Sequence, residues 1–245
     1  TLDYKESLAL CELAQQQQRQ LVVDHTYLFH PAVQMGQHLL HTGAIGSLRY
    51  GYATRTHLTP VRYDVDALWD LAIHDIAIFN YWLQETPCQV RAQGTVWLQT
   101  RSQAPHFSQG LSDLVWVTLI YPSGVEAVIH LCWANPDKQR RLSLVGSEGA
   151  LIFDELSSTP LTIQQGRLEQ ESYGYVPANL AHHSIVLDPI EPLQQVCNHF
   201  LFHAQHNSPS PISSGWVGAE LVKVLAALSR SINLGGQIVP LKEEH

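Results

Sequence analysis

The stretch DLVWVTLIYPSGVEAVIHLCWA, Asp113 to Ala134, holds two runs of β-branched, aromatic and aliphatic residues separated by Tyr121-Pro122-Ser123-Gly124. Val, Ile, Thr and Trp suit a pleated, packed surface, and Pro followed closely by Gly is turn chemistry. Two strands joined by a turn are therefore expected. Similar runs recur in VRAQGTVWLQT (Val90–Thr100), RRLSLVGSEGALIFDE (Arg140–Glu155) and LTIQQG (Leu161–Gly166), so the chain from Gln89 onward reads as a meander of mostly antiparallel strands.

Working outward, Ser47 to His57 alternates and is rich in Tyr and Thr, another strand. The polar, Pro-containing Leu58 to Ala67 reads as a loop into an apolar helix, LWDLAIHDIAIFNYWL (Leu68–Leu83). Upstream, Pro31 at a first turn and Gly43 as a stop bound a helix from Pro31 to about His41. Thr1 to Gln20 has helix-forming composition, and LVVDHTY (Leu21–Tyr27) reads as a buried strand. Ser172 to Ile190 shows no periodicity. Helical patterns over Glu191–Gln205 and Gly215–Asn233 and a short strand, QIVPL, close the chain.

The fold class is thus α/β in the α+β sense. Residues 46–245 are expected to form a domain with a large, mostly antiparallel sheet and helices packed on one face. Residues 1–45 supply only helix, strand and helix, which cannot bury their own apolar faces. The rest of their sheet is expected from upstream, from a partner chain or from the downstream domain.

With 45% apolar residues the chain can bury a substantial core. Fourteen basic against 22 acidic residues give a net charge of −8, without a basic run, which argues against nucleic acid and anionic membrane as partners. No segment approaches the 18 or so uninterrupted apolar residues of a membrane span, and no signal-peptide pattern is present. Cys11, Cys88, Cys132 and Cys197 are far apart, with no C-x-x-C pair and no zinc-ligand spacing. They read as reduced thiols in a cytoplasmic protein without a bound metal.

The helix Leu68–Leu83 carries Asp70, His74 and Asp75 among apolar residues. The i, i+4 spacing of Asp70 and His74 puts both on one face, where the carboxylate can reach the imidazole as a proton-transfer pair. The bland alternative is an Asp favoured by the helix dipole and a core His. Asp75 reads as structural.

Taken together, HTYLFHPAVQ (His25–Gln34), TGAIGSLRYGYATR (Thr42–Arg55), DVDALWDLAIHDIAIFNYWL (Asp64–Leu83), CWANPDKQRRLSLVGSEGALIFDE (Cys132–Glu155) and GGQIVPL (Gly235–Leu241) resemble the Gfo/Idh/MocA family of NAD(P)-dependent oxidoreductases. The wording is most similar to members acting on nucleotide-linked sugars, such as UDP-N-acetyl-hexosamine 3-dehydrogenases. Family members have an N-terminal Rossmann domain with a Gly-rich turn, an E-K-P motif, and a C-terminal domain with a broad sheet. The resemblance makes residues 1–45 the end of an incomplete Rossmann domain and residues 46–245 the substrate and oligomerisation domain. Neither G-x-G-x-x-G nor E-K-P occurs in this sequence, so the main NAD or NADP site is expected to lie outside it.

In the family pattern D-x-x-x-H the histidine is the general acid/base on the sugar hydroxyl or carbonyl. His74 matches it and Asp70 matches the aspartate. For Arg55, at a strand end, the readings are a cation for a substrate phosphate or carboxylate and an exposed arginine. Trp69 is read either as a stacking surface for a sugar or nicotinamide ring or as core. His30 is read either as a cofactor neighbour, near where the nicotinamide end would lie, or as a helix N-cap. Arg140 and Arg141 read as a solvated edge or subunit contact. The uncovered sheet face predicts a homodimer or homotetramer. Two functions follow: hydride transfer between NAD(P) and a secondary alcohol of a sugar or nucleotide-linked sugar, or a non-catalytic sugar-binding or oligomerisation module.

Overall fold

The computed structural model describes residues 1–100, 107 and 109–241. In chain order its elements are α1 (Tyr4–Gln16), α2 (Pro31–His41), β1 (Leu48–Leu58), α3 (Ile73–Leu83), β2 (Gln89–Thr95), β3 (Leu114–Ile120), β4 (Glu126–Cys132), β5 (Ala134–Gly146), β6 (Gly149–Asp154), β7 (Leu161–Glu171), β8 (Gly174–Ser184), α4 (Pro192–His206), α5 (Gly215–Asn233) and β9 (Val239–Pro240). The nine strands form one sheet in the order β8-β7-β6-β5-β1-β4-β3-β2-β9, antiparallel throughout except for the parallel pair β1 and β4.

Tyr121-Pro122-Ser123-Gly124 folds as the turn between β3 and β4. Gly124 takes φ +86°, where a side chain would be strained, and donates to the Tyr121 carbonyl at 2.9 Å. Helices α1, α2 and α5 start on side-chain caps. Asp3 accepts from Glu6 N, His30 from Ala32 N with Pro31 following, and Ser214 from Val217 N.

Alternate residues of the central strands, among them Ala53, Val117, Ile129 and Leu144, are buried with Phe79 and Trp82 of α3 and Leu225 and Leu228 of α5. Leu28, Phe29, Ala32 and Val33 belong to the same cluster, so residues on both sides of position 45 share one core. The opposite face of the sheet is open. Tyr50, Trp116 and Val128 are about half exposed there, with Tyr50 stacked on Tyr52 and Trp116 on His130. Among the described residues, no helix is long and apolar enough to cross a membrane.

Two segments differ from the sequence expectation. Leu21–Tyr27 is not a strand: it makes one bridge, Val22 to Ser214, and then winds into a 3-10 turn over Thr26–Phe29. Its backbone bonds go to the residues leading into α5 (Val23 N to Ser213 O, Gly215 N to Leu21 O), so no ladder is available to extend it. Ser172–Ile190 does contain a strand, β8, paired with a β7 that runs well past Gly166. The hairpin leaves the body of the sheet, exposing Leu168, Tyr175 and Leu180, and with neither face buried no alternation is imposed. The final residues of the domain expected over 46–245 lie outside the described residues.

Candidate active site

The π-helical turn Leu68–Ala72 leads into α3 at His74. Its i→i+5 winding overturns the expected contact between Asp70 and His74, because the fourth residue no longer sits over the first. Asp70 accepts instead from Arg62 Nη1 and from Trp133 Nε1, each at 3.2 Å. His74 lies against the Tyr27 ring, with centroids 4.9 Å apart, and makes no hydrogen bond among the described residues.

Arg55 is not exposed. Its Nε and Nη2 donate to Asp75 Oδ2 and Oδ1 at 3.0 and 2.9 Å, and the two side chains are 4% and 2% exposed. Nη1 donates to the Tyr27 hydroxyl at 2.9 Å, and the guanidinium lies 4.6 Å from the Tyr27 ring centre. Arg55 is therefore a buried strut between β1, α3 and the 3-10 turn, with three of its five N–H donors spent on Asp75 and Tyr27. Burial works against its charge, but Asp75 outweighs burial and raises its pKa. Asp75 is structural, as expected, and its partner is Arg55.

The Tyr27 hydroxyl donates to Glu155 Oε2 at 2.6 Å, and Glu155 Oε1 accepts from Arg140 Nη1 at 3.0 Å. A chain Asp75–Arg55–Tyr27–Glu155–Arg140 thus runs beneath His74. Arg140 faces the site, because it pairs across the strands with Arg55; it is not the solvated edge its position suggested. Burial pulls His74 down to about 3, helped by Arg55, His25 and Arg140. The imidazole is neutral at physiological pH, and its ring nitrogens make no hydrogen bond among the described residues.

Trp69 donates from Nε1 to Ser229 Oγ of α5 at 2.8 Å and packs against core on both sides, serving as packing rather than as an open stacking surface. His30 spends Nδ1 on Ala32 N at 3.1 Å as the α2 cap, its ring edge-on to Phe153. It borders a cleft of about 410 Å³ shared with Thr159, Ile185 and Asp188. A groove of about 890 Å³ lies near the far end of α3, between Asn80, Glu85 and Trp216, away from His74. His25, buried with Nε2 unpartnered, and His57, with Nδ1 likewise unpartnered, join the site and were not singled out from sequence. The excess of histidines was the one available signal. No three His, Cys, Asp or Glu side chains converge on a metal-sized site among the described residues.

The described residues do not fit a dinucleotide. The parallel strand β1 is followed by the glycine-free loop Thr59–Asp66, and β4 passes through Trp133 directly into β5. Neither offers a glycine turn onto a helix N-terminus to hold a pyrophosphate.

Residues 33–152 match the model of the GFO/IDH/MocA C-terminal domain. Over 95 residues the chain is 35% identical to UDP-N-acetylglucosamine 3-dehydrogenase of Acidithiobacillus ferrooxidans, a match spanning 38% of this chain and 29% of that enzyme. The solved structure of that enzyme superposes with TM-score 0.76 at 21% identity, over 96% of this chain and 69% of the other. An inositol dehydrogenase homologue of Azotobacter vinelandii, solved with NADH and myo-inositol, gives 0.77 at 16% identity, over 98% and 69%. An aldose-aldose oxidoreductase of Caulobacter crescentus gives 0.76 at 17%, over 98% and 69%. At these identities the three structures establish the fold.

Proposed function

We propose that this chain, whose residues 33–152 match the GFO/IDH/MocA C-terminal domain model, works in an oxidoreductase acting on a secondary alcohol of a sugar or nucleotide-linked sugar, with NAD(P) as the hydride carrier. In this reading residues 46–245 hold the substrate, residues 1–45 belong with the cofactor-binding domain, and copies of the protein associate through the open sheet face. The observation that carries it is His74: a neutral, unengaged imidazole at the start of a buried helix, held against Tyr27 above the Arg55–Asp75 pair.

The described residues do not fit the dinucleotide, and the contribution of these side chains is proton transfer. Neutral His74 takes the hydroxyl proton as the alcohol is oxidised and returns it in the reverse direction. Asp70 is held by Arg62 and Trp133 and makes no hydrogen bond to His74 among the described residues, so the proton transfer is assigned to His74 without it. The A. ferrooxidans relative and the inositol dehydrogenase homologue support the substrate class and the use of NAD.

The test is nicotinamide-dependent turnover of UDP-N-acetyl-hexosamines by the chain joined to its cofactor-binding domain, with His74→Ala beside the native residue. Loss of turnover with sugar binding retained is expected. Unchanged turnover removes His74 from the chemistry, and sugar binding by an inactive native protein favours the binding-module reading.

A further inference from the structure

We propose that His57, Lys138 and Arg140 form an anion subsite that reads a diphosphate or a carboxylate on the substrate; the proposal rests on the substrate-domain reading above. These residues lie on the adjacent strands β1 and β5. Arg55 pairs with Arg140 and Thr56 with Gln139, after which the ladder breaks and resumes only at Leu58 opposite Ala134. Residues 135–138 therefore bulge out beside His57. The bulge is held in shape by Asn135 Oδ1 accepting from Asp137 N at 2.9 Å and by the Asp137 carbonyl accepting from Thr56 Oγ1 at 2.7 Å. Bulges of this kind re-aim side chains beside sites.

Two buried polar atoms there have no partner, His57 Nδ1 and Arg140 Nε. Buried groups of this type are normally satisfied, so each marks a place where a bonding partner is missing. Arg140 uses Nη1 for Glu155, which leaves the other nitrogens of its fork free for a bidentate acceptor. Lys138 is exposed and makes no ion pair or hydrogen bond among the described residues. Burial first, and then the Arg140 and Lys138 charges, lower the His57 pKa, with Asp70 acting in the opposite sense. Three nitrogen groups thus share one field, and Arg140 is tied through Glu155 and Tyr27 to the surroundings of His74.

The test is calorimetric titration of the 245-residue chain with inorganic pyrophosphate, uridine diphosphate, glucuronate, glucose and NAD. One-to-one binding of an anion but not of glucose is expected, weakened roughly tenfold or more by Arg140→Gln and by His57→Gln, the cost of a charge-assisted hydrogen bond. Arg167→Gln, on the exposed β7–β8 hairpin, should leave it unchanged. Tighter binding of uridine diphosphate than of glucuronate names the diphosphate as the group read, and the reverse order names the carboxylate. Lys138→Gln, at an exposed position that cannot disturb folding, should also weaken binding, and the His57 imidazole resonance should titrate at higher pH with the anion bound. No saturable anion binding, binding indifferent to all three substitutions, or NAD binding that depends on the same three residues would overturn the proposal. No turnover is read, so the subsite can stand or fall independently of His74 chemistry.

Discussion

Asp75→Ala is the most informative single perturbation of this fold. The carboxylate holds Arg55 through two hydrogen bonds of 3.0 and 2.9 Å, and the side chains are 2% and 4% exposed. Removing it leaves a guanidinium charge buried with only the Tyr27 hydroxyl as acceptor. Breaking a buried pair from one side costs about 3–5 kcal/mol. Against a total stability of about 5–15 kcal/mol for a domain, that is about a fifth or more of what holds the chain folded. With a urea slope of about 3 kcal/mol per molar for a chain of this size, the midpoint should fall by about 1–1.7 M. Replacing both partners by apolar residues, Arg55→Met with Asp75→Leu, removes the desolvation cost together with the attraction. The remaining loss is the hydrogen bond to Tyr27, about 1 kcal/mol. The assay is urea unfolding of the two single variants and the double variant, read by circular dichroism at constant slope. A single-variant loss below about 1 kcal/mol, or a double variant as unstable as the sum of its singles, would refute the claim that each charge is there chiefly to neutralise the other.

Three further outcomes follow from the same geometry. In the double variant the His74 imidazole should titrate at higher pH than in the native chain, because a positive neighbour is gone while burial remains; an unmoved resonance contradicts the coupling. Gly51→Ala would set a Cβ 2.6 Å from Phe79 Cε1 and 3.0 Å from Leu144 Cδ2, and should cost about 1–3 kcal/mol, read as a lower thermal midpoint; a wild-type midpoint would mean that α3 moves away freely. Burial holds His25 down to about 4 and His74 to about 3, so both are neutral in the native chain at pH values where the unfolded chain is protonated. Their contribution is complete above about pH 6.5 and is lost as the pH falls toward 4. Asp66, pushed up to about 7 by burial, works in reverse, since the native chain keeps a proton there that the unfolded chain has released. Asp66→Asn keeps a capping oxygen for Trp69 N and removes that opposition, so stability should fall more steeply between pH 6.5 and 4; an unchanged slope in urea titrations at several pH values rejects the assignment.

The long periodic elements were legible without coordinates. The helix expected from Pro31 to His41 is found at those residues, and the strands on either side of Tyr121–Gly124 pair as expected. Each is set by local chemistry: a proline in the first turn, alternation across a half-buried sheet, a glycine where φ is positive. Leu21–Tyr27 went the other way because a β-branched run becomes a strand only where a neighbour offers a ladder. His74 was legible as a candidate, since an ionisable residue in an apolar helix is visible as a break in pattern. Its partners were not legible. Tyr27, Arg55, Arg140 and Glu155 are separated by up to 128 positions along the chain and meet only because β1 lies beside β5 under the 3-10 turn. The i, i+4 geometry of Asp70 and His74 failed for a narrower reason: spacing gives a helical face only when the winding is α, and here the first turn is π.

Composition and periodicity in this chain specify the class of fold, a broad antiparallel sheet with helices on one face, because burial of alternate side chains is a local constraint repeated along the central strands. Whether an arginine faces solvent or a buried carboxylate, and whether a histidine keeps its proton at neutral pH, depend instead on which distant groups share its low-dielectric surroundings. Those relations arise only once β1, β5, α3 and the 3-10 turn close over one another, when the same Arg55 that reads as a strand-end cation becomes the strut beneath His74.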